Sequence, residues 1–196
     1  KYITPKRVVT AENCLQSENI ITDFPCQARV MLSRDEEYEK RCVTIRKDGY
    51  VLIDFGRELH GGICVTVQTV SAPTAKLEAV FGESVMEALS SIGEKNSENH
   101  HSIRYWTVPA IAMSTQEFGS TGFRFVRLCA HEGDIILSSV KAMPKIRDLE
   151  YKGSFECNDD KLNEIWKTGA YTVQLNMHDY IWDGIKRDRL VWIGDI

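Results

Sequence analysis

Cys42-Val43-Thr44-Ile45-Arg46-Lys47-Asp48-Gly49-Tyr50-Val51-Leu52-Ile53-Asp54-Phe55-Gly56 is the stretch that decides the fold. β-Branched and aromatic residues fill both of its flanks, the side chains that suit a pleated, half-buried surface. Asp48-Gly49 between them tolerates positive φ at both turn positions, which predicts a two-residue hairpin joining strands 42–47 and 50–55. Gly56-Arg57-Glu58-Leu59-His60-Gly61-Gly62 then reads as a turn between strands. No Lys-Ser/Thr follows its glycines, so it is not a phosphate-cradling loop.

Outward from this centre, further strands are predicted at Gly62–Val70, Lys76–Phe81, Ile103–Val108, Phe123–Ala130 and Ile135–Lys141. Phe123, Phe125 and Leu128 are interrupted by Arg124 and Arg127, as in a strand with one buried and one solvated face. The polar, poorly periodic stretch Glu83–His101 reads as a long loop with one helical turn. No amphipathic helix separates the strands. The fold class is therefore mainly β, an antiparallel, jelly-roll-like β-sandwich over residues 1–149. About 150 residues is enough for one such core.

Composition narrows the function classes. The 196 residues are 43% hydrophobic and 27% charged, which excludes collagen-like and wholly disordered chains. With 24 basic and 28 acidic residues the net charge is −4, and no basic aromatic stripe is present, so neither nucleic acid nor membrane is an expected partner. No apolar run approaches the ~18 residues of a membrane span. There is no G-x-S-x-G for a serine hydrolase. The six cysteines show no C-x-x-C, and thiols such as Cys64 in a β-branched run are expected to be buried and unpaired. His60, His100, His101, His131 and His178 lack ligand spacing, so no metal and no cofactor is expected. Lys1 in place of an initiator Met suggests the interior of a longer gene product. The compartment, cytoplasmic or periplasmic, stays open.

The pattern changes after Pro144. Asn158-Asp159-Asp160 supplies an N-cap and first-turn negative charge. Leu162, Ile165, Trp166, Gly169, Val173 and Met177 then recur at gaps of three and four, one stripe of a helix. Gly169 costs about 1 kcal/mol of helix propensity against Ala, which predicts a close approach by a neighbouring helix. Residues 150–196 are too few for a core of their own. They are expected to begin a second, truncated domain, whose stripe packs on the sandwich, self-associates through a second copy or stays mobile.

Asp183-Gly184-Ile185-Lys186-Arg187-Asp188-Arg189-Leu190-Val191-Trp192-Ile193-Gly194-Asp195 is the most unusual segment. Carboxylates at Asp183, Asp188 and Asp195 are interleaved with cations and flanked by Trp182 and Trp192. Sugar hydroxyls take carboxylate acceptors and sugar faces stack on indoles, so the pattern suits carbohydrate. A glycosidase also keeps one carboxyl protonated to serve the leaving oxygen. The plainer reading is a solvated loop laced with Asp–Arg pairs.

From Gly153-Ser154-Phe155-Glu156 through Leu162-Asn163-Glu164-Ile165-Trp166 to Asp183…Arg187-Asp188-Arg189-Leu190…Trp192…Gly194-Asp195, the chain resembles bacterial α-L-rhamnosidases of glycoside hydrolase family 78. Asp54-Phe55-Gly56, Phe81-Gly82-Glu83 and Gly122-Phe123-Arg124-Phe125-Val126 resemble the sandwich that precedes the family's (α/α)6 barrel. The resemblance implies that the helix after Asp159 is the first of that barrel. It further implies that Asp188 stands at the general acid and that Asp183, Arg187, Trp192 and Asp195 form the sugar pocket, the substrate being a rhamnose-containing glycan or glycoside. The family's acid is normally Glu, so this carboxyl is set back by about 1.5 Å, one C–C step. Ile185 replaces the usual proline. The family inverts configuration with a second carboxylate about 6.5–9.5 Å from the acid. The resemblance places that glutamate beyond Ile196, so residues 1–196 alone are expected to be inactive. A sugar related to rhamnose, such as another 6-deoxy or uronic sugar, is one alternative. A carbohydrate-binding or structural sandwich with a non-catalytic tail is the other.

Overall fold

The computed structural model describes residues 2–22, 40–91, 93–94 and 104–195, and they fall into two compact units, Lys1–Pro144 and Lys145–Ile196. Cys26, His100 and His101, the second part of the expected loop up to His101, and the start of the strand expected at Ile103 lie outside the described residues.

The first unit is built from β1 (Arg7–Leu15), β2 (Val43–Val70), β3 (Lys76–Gly82), β4 (Tyr105–Pro109), β5 (Ser114–His131) and β6 (Ile135–Pro144), all antiparallel. Hydrogen bonding runs β1-β2-β5-β3-β4, with β6 on β2. β2 has 28 residues. Held straight, it would run about 90 Å at ~3.3 Å per residue, far beyond a domain whose radius of gyration is about 15 Å. It must bend, and so must β5. Tyr50–Asp54 of β2 pairs with Phe125–Cys129 of β5 in one layer, beside β1 and β3. Gly61–Val67 pairs with Ser114–Thr121 of β5 on one side and with β6 on the other, forming the second layer.

The core lies between the layers. Ile53, Phe55, Leu59, Ile63, Val65, Phe81, Phe123 and Leu128 are all buried in one cluster. Phe123 meets Phe55 and Phe81 edge to face, with ring centroids 5.6 and 5.0 Å apart, the arrangement favoured by ring quadrupoles. A short helix, α1 (Val85–Leu89), covers Leu52 and Phe125 on the outer side of the first layer with Ala88.

Two sequence expectations are corrected here. Asp48-Gly49 does not turn a hairpin; it lies inside β2 as a bulge. β1 steps from Glu12 to Cys14 while β2 steps from Tyr50 back to Ile45, and Asp48 sits at φ 60°. The neighbours explain the outcome: Lys47 N–H donates to Asp134 Oδ1 at 2.8 Å and Lys47 O accepts from Asn13 Nδ2 at 3.1 Å, so both groups are used outside a hairpin ladder. A Cβ on Gly49 would stand 2.5 Å from the Asn13 carbonyl oxygen, which is why glycine is needed.

Gly56–Gly62 is likewise not a turn between two strands but the bend of one. Gly56 takes φ 84°, and Asp54 anchors the bend. Its Oδ1 accepts from Gly56 N–H (2.7 Å) and Arg124 Nε (2.8 Å), while Oδ2 accepts from Arg124 Nη2 (3.0 Å) and Arg7 Nε (3.0 Å). Asp54 is buried. Burial pushes its carboxyl up, but the two guanidiniums and the Gly56 amide prevail and hold it down at about 2.

Cys42, Cys64 and Cys129 are buried and Cys14 and Cys157 half-buried, with no disulfide among these five. Burial pushes Cys14 up to about 11 and Cys129 up to about 12, which leaves them inert as nucleophiles at neutral pH.

The second unit holds one long helix, α2 (Asp160–Asn176). Asp159 caps it as expected, its Oδ1 accepting from Lys161 N (2.9 Å) and Leu162 N (3.3 Å). The preceding segment is strapped along the helix. Asn163 exchanges two hydrogen bonds with the Cys157 backbone, both 2.9 Å, and Gln174 donates to Arg147 O at 2.9 Å and accepts from Tyr151 OH at 2.7 Å. Leu162, Ile165 and Val173 of the apolar stripe are exposed. A Cβ on Gly169 would meet nothing within 4 Å, so the close helix approach expected there is not found among the described residues. No helix among the described residues is long and apolar enough to cross a membrane.

Candidate active site

All five residues singled out in the tail lie beyond α2, in a segment whose only regular structure is a 3-10 turn at Ile193–Asp195. The chain reaches it through a tight reversal. His178 N–H donates to the Tyr180 carbonyl at 2.9 Å and Trp182 N–H to the Asn176 carbonyl at 3.0 Å. The His178 imidazole lies against the Trp182 indole, centroids 4.1 Å apart, and the Arg189 guanidinium stands 5.5 Å from the same indole. Burial draws His178 below its ordinary value, against the opposing pull of a hydrogen bond to the Leu175 backbone. Desolvation lowers Arg189 as well.

The segment 183–190 is a loop pinched at its neck. Asp183 N–H donates to the Leu190 carbonyl, and Leu190 N–H returns a bond to Asp183 Oδ1, both at 2.9 Å. The other oxygen, Oδ2, accepts from the Trp192 indole Nε1 at 2.9 Å. Desolvation pushes the Asp183 carboxyl up, but the Leu190 amide, the Trp192 indole and the Gly184 amide outweigh it and hold the group below the ordinary carboxylate value. Inside the loop Ile185 and Lys186 are buried, while Arg187 and Asp188 at the tip face outward. Arg187 Nε stands 3.8 Å from Asp188 Oδ1. Arg189 secures the return with its backbone N–H on the Arg187 carbonyl (2.8 Å) and its Nε on the Ile185 carbonyl (3.2 Å).

The structure thus joins the expected residues in two pairs, Asp183 with Trp192 and Arg187 with Asp188. Asp195 lies in the final 3-10 turn. Among the described residues no group of three His, Cys, Asp or Glu side chains is placed to hold a metal. The stack of His178, Trp182 and Arg189 was not anticipated from the sequence. No period connects those positions, because a chain reversal rather than a repeating element brings them together. The one available signal was the second arginine of Arg187-Asp188-Arg189.

Comparison with known proteins follows the same division. Residues 150–196 match the family profile of the bacterial alpha-L-rhamnosidase 6 hairpin glycosidase domain. An alpha-L-rhamnosidase of Formosa agariphila is 22% identical over 182 residues, which is 89% of this chain and 19% of that protein. Among solved structures, a rhamnosidase from Klebsiella oxytoca with rhamnose bound superposes with a TM-score of 0.72 at 19% identity, over 100% of this chain and 38% of that one. A GH78 family rhamnosidase of Bacillus sp. GL1 gives 0.63 at 19% identity, over 91% and 17%. The chain therefore spans less than two fifths of each of these relatives, and at these identities the structural likeness establishes the fold.

Proposed function

We propose that this chain, similar along both of its units to bacterial α-L-rhamnosidases, is part of an inverting glycoside hydrolase that removes terminal α-L-rhamnosyl residues. One observation carries the reading. In the segment that matches the rhamnosidase domain, a pinched loop holds the Asp188 carboxyl at an exposed tip, with Arg187 beside it and the Asp183–Trp192 pair at its neck.

In this reading Asp188 donates its proton to the glycosidic oxygen as the bond to the anomeric carbon breaks. Water attacks that carbon from the opposite face, and a second carboxylate takes the water's proton. That base is the glutamate the family resemblance places beyond Ile196, so residues 1–196 alone are inactive. Asp183, Arg187, Trp192 and Asp195 shape the pocket, with the Trp192 indole as the apolar platform and the charged groups meeting hydroxyls.

The test is hydrolysis of an aryl α-L-rhamnoside by the gene product that carries this chain, beside its Asp188→Asn variant. The expected result is activity that falls at least ~100-fold in the variant, the lower end of what one general acid contributes. Activity that Asp188→Asn leaves intact would sink the assignment.

A further inference from the structure

The Arg187 carbonyl accepts from Arg189 N–H at 2.8 Å, a bond that skips one residue, and the residue it skips, Asp188, has φ 62°. Asp188 is thus the centre of a γ-turn of the positive-φ kind, which is rare and strained. Arg189 follows at φ 53°, again left-handed, a conformation in which Asp and Asn are enriched and Arg is not. Such a backbone persists only where its surroundings over-determine it. The Arg189 side chain constrains it twice. Its Nε donates back to the Ile185 carbonyl at 3.2 Å, and its guanidinium lies over the Trp182 indole, 5.5 Å from the ring, within cation–π range. Trp182 is itself fixed: its N–H donates to the carbonyl of Asn176, the last residue of α2, and its ring rests on His178. A path of contacts therefore runs from the end of α2 through Trp182 and Arg189 to the turn centred on Asp188.

We infer that Arg189 is a positioning residue for Asp188, seated on Trp182 and through it on the end of α2. Asp183 and Arg187 keep the pocket roles given to them above; Arg189 acts through the backbone of the turn. A flat guanidinium suits this task, because it can lie on an indole while donating in its own plane, which the point charge of Lys cannot do. The catalytic meaning of the inference rests on the hydrolase reading above; its conformational part does not.

The experiment compares phenyl and dinitrophenyl α-L-rhamnosides in the gene product that carries this chain and in its Arg189→Lys and Trp182→Leu variants. Phenolate leaves with a proton from the acid, whereas dinitrophenolate leaves without one, so a misplaced Asp188 harms the first substrate selectively. Both variants should lose ~100-fold in kcat on the phenyl rhamnoside, the cost of about 1 Å of misplacement. On the dinitrophenyl rhamnoside, where proton donation contributes little, the loss should stay within about threefold. Equal losses on the two substrates would mark a lost fold or sugar contact and overturn the inference. A raised KM with kcat retained, or full activity in Arg189→Lys, would overturn it as well. The doubly substituted protein should lose no more than the worse single variant, since both act through one contact; losses that multiply would sever Arg189 from Trp182 and defeat the proposal. In the 13C,15N-labelled chain, the Asp188 Cα and Cβ signals report its backbone conformation. They should leave their left-handed values in both variants while sandwich signals stay in place, and signals that hold would refute the positioning whatever the activity. A wild-type gene product that hydrolyses neither rhamnoside would sink the hydrolase reading alone, and the Asp188 signals would then decide the placement by themselves.

Discussion

The two units organise their carboxylates in opposite ways. In the sandwich, Asp54 is buried and answered by two guanidiniums and an amide, and its service is to hold β2 bent. In the tail, Asp183 lies at the surface and is answered by an amide and an indole, at the neck of a loop with a second carboxyl at its tip. Both are pulled below their ordinary values by donors that outweigh desolvation. The same chemistry thus anchors a bend where it is dry and closes a loop neck where it is wet. A lowered carboxyl by itself does not mark a functional site.

Three substitutions test that contrast. The largest effect is expected from Phe123→Ala, which empties the junction where Phe55 and Phe81 meet the ring and costs about 3–5 kcal/mol. It should lower the thermal transition of the sandwich, followed by near-ultraviolet dichroism, and leave the helical signal of α2 unchanged. Co-melting of both signals would show the units to be energetically one.

Next comes Asp54. Its folded value of about 2 lies below the 3.8 of a free aspartate, so its contribution is present above about pH 4 and disappears as pH falls from 4 to 2. The difference corresponds to about 2 kcal/mol at neutral pH. Urea unfolding at pH 6 and at pH 2 should show that loss in the wild type and a flatter profile in Asp54→Asn. Equal slopes in the two proteins would remove Asp54 from the account.

The smallest effect is in the tail and has the opposite sign. Gly169→Ala meets nothing within 4 Å, so it should raise the stability of α2 by about 1 kcal/mol, read as slower amide exchange between Asp160 and Asn176. Exchange that quickens would mean that something does pack closely on Gly169.

Much of this was legible from the residues. Alternation at Phe123–Leu128 and the β-branched runs announced a two-layer antiparallel core, and Asp159 announced the start of α2. The Asp48-Gly49 hairpin was misread because turn propensity is a local property. The side chains that claimed Lys47's backbone groups, Asn13 and Asp134, lie far away in sequence. The pairing of Asp54 with Arg124 joins two of the short motifs that carried the family resemblance, yet no local pattern reveals a contact across 70 positions. In the tail the residue types were readable and their partners were not. Asp183, Arg187, Asp188 and Trp192 could be named, but which of them bonds to which depends on a loop with no period.

The bridge between Ile3 and Ala142, closed by N–H···O bonds of 2.9 and 2.8 Å, sets the first and last residues of the sandwich side by side. A chain can therefore enter and leave this unit at one spot, as through a single doorway. Such a unit can be spliced in ahead of another, or have its own termini joined and reopened elsewhere, without its strands changing partners. Architecturally it is a cassette, and preceding a helical unit along the chain is one of the orders that doorway permits.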